Sequence, residues 1–114
     1  MSARIHPTAI VHPDAQLADD VEVGAWAYVG PHCTVGAGSI IQMRAVLEEH
    51  VHLAPRVTVG IGSVLGGKPQ DLKFKGEVTT VEVGEGTTIR EYATLNRGTS
   101  ESHKTTVGRN CFLM

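Results

Sequence analysis

"VHPDAQLADDVEVGAWAYVGPHCTVG", residues 11–36, obeys one rule every six positions. An aliphatic residue stands at Val11, Leu17, Val23, Val29 and Val35, and four positions after each comes a small or slim one: Ala15, Val21, Ala27, Cys33 and Ser39. The rule extends back to Ile5 with Ala9. It runs forward through Ile41, Leu47, Leu53 and Val59, with Ala45, Val51, Val57 and Ser63 in the small-residue slot. Glycine often follows the aliphatic, as at Gly24, Gly30, Gly36 and Gly60. Neither a helical period nor simple alternation produces this pattern.

Six extended residues at about 3.3 Å each make a short flat strand and a corner. Three such sides close a triangular coil with the aliphatic pointing into the prism. The small residue lets the chain turn, and the glycine is expected to supply the corner's backbone geometry. Coils then stack at strand spacing, aliphatic over aliphatic, as repeat architectures do. The expected fold is all-β: a parallel β-helix of about five coils, a single domain spanning residues 1–114.

Composition agrees with this reading. Aromatics are 4% of 114 residues while Gly numbers 13, which suits a repeat of small residues better than a core of large ones. A net charge of −2 argues against a surface that wraps nucleic acid. The cations concentrate from Lys68 onward, where an anionic partner would dock. The opening "MSARIHPTAI" lacks the apolar centre of a signal peptide, and no run approaches the length of a membrane span. A cytoplasmic protein without membrane insertion is the expectation. Cys33 and Cys111 share the small-residue slot and read as packed side chains rather than a redox pair.

The count lapses over "KPQDLKFKGE" (68–77), returns at Val83, Ile89 and Leu95, slips over "RGTSESHKT" (97–105), and resumes at Val107 with Cys111. Two loops are therefore expected to leave the coil, a large one at about 66–80 and a minor one at about 99–105. Loops on a rigid repeat scaffold are the usual seat of function. "GSVLGGK", residues 62–68, has the spacing of a phosphate-binding loop, but Pro69 stands where a Mg²⁺-binding hydroxyl is needed. Inside the large loop Asp71, Lys73 and Lys75 flank Leu72 and Phe74. A carboxylate for hydroxyls beside ammonium groups for phosphate suits a clamp over a phosphorylated, hydroxylated ligand.

"PQDLKFKGE" (69–77), "TTVEVGEGTTIREYATLNRGT" (79–99) and "TTVGRNCFLM" (105–114) follow in that order. With the hexads before them, they resemble the hexapeptide-repeat acyltransferases that move an acyl chain from acyl carrier protein to UDP-N-acetylglucosamine, the first step of lipid A biosynthesis. The resemblance implies that the β-helix is left-handed, a hand that opposes the usual crossover rule and that spacing alone does not give. It implies a homotrimer with sites in clefts between neighbouring prisms. It also implies substrate contacts from Asp71 and Lys73, Leu72 along the ligand path, and Asn96 lining the cleft beside Arg97 and Gly98. The acyl group would arrive on the carrier's phosphopantetheine, with no resident cofactor and no metal.

Acyl transfer to a hydroxyl needs a base and an oxyanion donor. In the family that base is a His in an H-x-x-H-D type motif beyond the position of Met114, and no H-x-x-H occurs in these residues. No catalytic residue is therefore assigned, the 114 residues alone are expected to be inactive, and the chain is expected to be a piece of a longer one. Two alternatives stand beside this reading. His32 and His50 are one coil apart and should stack, with Asp14 one coil below and His52 nearby, which raises a metal-bearing β-helix of the γ-class carbonic anhydrase kind. The other is a non-catalytic β-helical scaffold. His6 and His12 read as surface residues of the first coil, and His103 falls in the minor loop.

Overall fold

A computed structural model describes residues 3–67, 79–96 and 104–113. Its coils each carry three short strands. The first has β1 (Arg4–Ile5), β2 (Ile10–Val11) and β3 (Gln16–Leu17); the second has β4 (Glu22–Val23), β5 (Tyr28–Val29) and β6 (Thr34–Val35). The third has β7 (Ile40–Ile41), β8 (Val46–Leu47) and β9 (Val51–Leu53); the fourth has β10 (Thr58–Val59), β11 (Val64–Gly67) and β12 (Thr80–Val83). The fifth has β13 (Thr88–Ile89), β14 (Thr94–Asn96) and β15 (Lys104–Val107), and β16 (Phe112–Leu113) begins another. Every third strand pairs in parallel, which gives three flat faces ordered β1-β4-β7-β10-β13-β16, β14-β11-β8-β5-β2 and β15-β12-β9-β6-β3.

The sixfold count marks what lies inside. Val29, Ile41, Leu47, Val59, Leu65 and Ile89 are fully buried, and so are the slot residues Cys33, Ser39, Ala45, Val51, Val57, Ser63 and Thr87. Each strand thus turns two residues inward, the slot residue and the aliphatic two positions later. Where the slot holds a hydroxyl, it ties one coil to the next. Ser39 Oγ accepts the Val57 N–H at 3.1 Å and donates to the Ala54 carbonyl at 3.1 Å. Ser63 repeats this with the Ala93 N–H and Arg90 carbonyl, and Thr87 with Cys111 and Gly108. A buried hydroxyl is tolerated there because both of its hydrogen-bonding roles are filled.

The glycine after the aliphatic has a different role from the one its position suggested. The left-handed backbone falls three residues after the aliphatic, where Asp20, Trp26, His32, Arg44, His50, Arg56, Tyr92 and Asn110 have φ between 53° and 61°. Non-glycine residues adopt that region at some cost, so the corners are held by the stacked coils rather than by local preference. Corner amides extend the ladder: the Arg44 N–H donates to the Ala25 carbonyl at 2.9 Å and that of Arg56 to Ala37 at 2.9 Å. Gly30 and Gly36 are needed for room. A Cβ on Gly30 would run into the Glu48 carbonyl, and one on Gly36 would lie 2.5 Å from the Ala54 carbonyl carbon and the Pro55 nitrogen.

Candidate functional site

One edge of the prism, between the second and third faces, carries both interruptions of the repeat. Strand β11 ends at Gly67 and β12 begins at Thr80; β14 ends at Asn96 and β15 begins at Lys104. In the lower coils the same edge is turned within a few residues, between β2 and β3, β5 and β6, and β8 and β9. The strand ends that flank the two sequence segments read as loops therefore lie on adjacent coils above a regular corner. Asp71, Leu72 and Lys73, with Arg97, Gly98 and His103, lie outside the described residues.

The described residues at the base of this edge depart from the regular coil in three ways. Gly66, at φ 85°, breaks the register of β11, so that Leu65 pairs with Leu95 and the next pair is Gly67 with Asn96. Such a bulge re-aims the backbone where a strand ends. Gly67 then lies between two polar side chains: a Cβ there would be 3.0 Å from Glu48 Oε2 and 3.0 Å from Asn96 Oδ1. Thr79, fully buried just before the returning strand, has a side-chain hydroxyl without a hydrogen-bond partner among the described residues. Two residues on, the Val81 N–H donates to the His50 carbonyl at 3.0 Å and restores the ladder. Asn96 is the one sequence-assigned contact residue that is described, and the bulge brings it to Gly67. Glu48 was missed by sequence reasoning, because it occupies the slot after an aliphatic where Gly30 sits one coil below.

His32 and His50 stack as expected, ring centroids 5.0 Å apart and 11° from parallel. His52 points elsewhere and shares a 2.8 Å hydrogen bond with Thr34 Oγ1. Among the described residues no group of three His, Cys, Asp or Glu is placed to hold a metal ion, and nothing favours the carbonic anhydrase alternative. His12 accepts the Asp14 N–H at Nδ1, 3.0 Å away, and His6 bonds Thr8 within its own corner. Burial pushes the Cys33 thiol above its ordinary range, so it stays protonated and inert, while Cys111 is half-buried.

Arg90 and Glu91 lie on the edge between the first and second faces, between β13 and β14 and away from the interruptions. Arg90 grips Glu91 through Nη2 at 2.9 Å and Nε at 3.2 Å, and its guanidinium lies 5.2 Å from the centre of the Phe112 ring. The hydrogen bond from Arg90 holds the Glu91 carboxyl below its usual range. That pair fixes an exposed corner rather than facing the candidate site.

Comparison with known proteins places these observations. The bacterial transferase hexapeptide (six repeats) family matches residues 2–37. The chain is 44% identical over 111 residues to the acyl-[acyl-carrier-protein]–UDP-N-acetylglucosamine O-acyltransferase of Saccharophagus degradans, covering 96% of this chain and 43% of that protein. It is 42% identical over 113 residues to the enzyme of the same name from Azorhizobium caulinodans, covering 98% and 42%. Among solved structures, the UDP-N-acetylglucosamine acyltransferase of Bacteroides fragilis superposes with a TM-score of 0.93 at 38% identity, over 96% of this chain and 43% of that one. That of Campylobacter jejuni gives 0.85 at 32%, over 96% and 45%. The chain thus spans about two-fifths of the length of the curated relatives it matches. The coil is the left-handed β-helix of hexapeptide repeats.

Proposed function

We propose, from a chain that belongs to the acyl-[acyl-carrier-protein]–UDP-N-acetylglucosamine O-acyltransferase family, that the loop-bearing edge binds UDP-N-acetylglucosamine for acylation of its 3-hydroxyl. The sugar oxygen attacks the thioester carbonyl of a 3-hydroxyacyl chain on acyl carrier protein, the carbon–sulfur bond breaks, and the phosphopantetheine thiol leaves with a proton. In this reading the reaction uses no resident cofactor. The base that takes the hydroxyl proton is assigned to none of these residues. Asp71 accepts from sugar or ribose hydroxyls, Lys73 neutralises phosphate, and Leu72 lines the path of the ligand. Asn96 lines the same cleft, with Arg97 and Gly98 beside it.

The observation that carries this reading is the placement of both interruptions on one edge, beside a face suited to association. Outward positions of the second face run Ile10, Tyr28, Val46, Val64 and Thr94 from coil to coil. The corresponding row on the third face is Gln16, Thr34, His52, Glu82 and Thr106. The run of large side chains from Ile10 to Val64 on a flat sheet favours burial against a partner. With a second copy on that face, the loop edge borders its neighbour, as the cleft of a cytoplasmic homotrimer requires. Among the described residues no helix is long and apolar enough to cross a membrane.

Native mass spectrometry of the full chain with UDP-N-acetylglucosamine tests both parts together. A trimer that takes up the sugar nucleotide at each cleft is expected. A monomer, or a trimer that leaves the ligand free, contradicts the reading.

A further inference from the structure

Glu48 is exposed, yet its backbone is fixed, because its N–H donates to the Leu65 carbonyl at 2.8 Å. Its carboxylate reaches up over Gly67, to 3.0 Å from where a Cβ would be, and Asn96 Oδ1 approaches the same point from the coil above, also at 3.0 Å. Both oxygens therefore border the same methyl-sized space at residue 67. Among the described residues neither has a side-chain hydrogen bond or ion pair, whereas its neighbours Glu49 and His50 do have partners. A carboxylate and an amide left open toward one gap form a complementary set, an anionic acceptor beside a group that both donates and accepts. The gap exists because Gly66 bulges the strand and residue 67 has no side chain to fill it.

We propose that Glu48 is a specificity-determining residue for the acceptor sugar: its carboxylate accepts a hydrogen bond from a sugar hydroxyl while the Asn96 amide holds a second polar group of the same ring. The inference rests on the sugar-nucleotide reading above and extends it to a residue outside the loop motifs. A charge-assisted bond of this kind is about twice as strong as a neutral one. Glu48 therefore reads the sugar, and the uridine and phosphates depend on other residues.

Titration calorimetry on the full chain compares UDP-N-acetylglucosamine with UDP. Glu48→Ala is expected to weaken the sugar nucleotide by about tenfold and to leave UDP unchanged. Glu48→Gln, which keeps an acceptor oxygen without the charge, should fall between. Gly67→Ala leaves both polar groups in place and fills the gap between them, so it should weaken the sugar nucleotide as well. Thr58→Ala, outward on the first face, should change neither affinity. The proposal is overturned if Glu48→Ala binds the sugar nucleotide like the unaltered chain, or if UDP weakens in parallel. If the unaltered chain binds neither ligand, the sugar-nucleotide reading itself fails and takes this inference with it.

Discussion

Gly30→Ala lowers stability by about 3 kcal/mol, toward the upper end of what overpacking a close-packed interior costs. The added methyl has nowhere to go, because the group it meets is the Glu48 carbonyl of the next coil rather than a movable side chain. That coil is itself locked, with the Gly30 N–H donating to the Leu47 carbonyl at 2.7 Å. Relief requires parting two hydrogen-bonded coils over several residues. Thermal unfolding followed by circular dichroism should show a midpoint lower by roughly 10–20 °C. Gly38→Ala provides the contrast. Its Cβ would meet only Arg56 Cγ at 3.5 Å, but its φ is 72°, so the expected cost is the left-handed backbone alone, about 1–2 kcal/mol. A Gly30→Ala midpoint no lower than that of Gly38→Ala would show that the coils separate more easily than their hydrogen bonding implies.

Asp71→Ala and Lys73→Ala should each weaken UDP-N-acetylglucosamine binding by roughly 10- to 100-fold, the range for losing one hydrogen bond to a charged group. Both residues lie in the segment between Gly67 and Thr80 that leaves the repeat. Removing either should leave the thermal midpoint almost unchanged, since the stacked coils carry the core on their own. Leu72→Ala should have the smaller effect of a lost apolar contact. Fluorescence titration of the full chain separates these outcomes. Full affinity in both charge variants would remove the large loop from the site.

The fold was legible because the repeat constrains every coil in the same way. Leu47 over Val29 and Val11 under Val29 follow from the count alone, and the observed register repeats it. Two features were not legible. The hand of the coil is set by how each corner turns, and a spacing of six is compatible with either hand. The left-handed corner residue is Trp26, Arg44 or Tyr92 as readily as Gly38, so no glycine pattern marks it, and the glycines that stand out after the aliphatics answer a packing demand. The breaks in the count are legible as a single edge of the prism, the one at which Asn96 ends its strand. Glu48 stayed hidden because its importance depends on the bulge at Gly66, which shifts the register so that Gly67, and not Gly66, pairs with Asn96. A register shift of one residue leaves no mark in composition or spacing.

Hydrogen–deuterium exchange of the full chain, with and without UDP-N-acetylglucosamine, tests most directly whether the edge between the second and third faces is the substrate site. Added ligand should slow exchange where the strands meet that edge, at Gly67, Thr80, Asn96 and Lys104 and in the corner of Glu48 to His50. The outward first face around Thr58 and Thr88 should not change. Protection confined to the first face, or none at saturating ligand, would contradict the account.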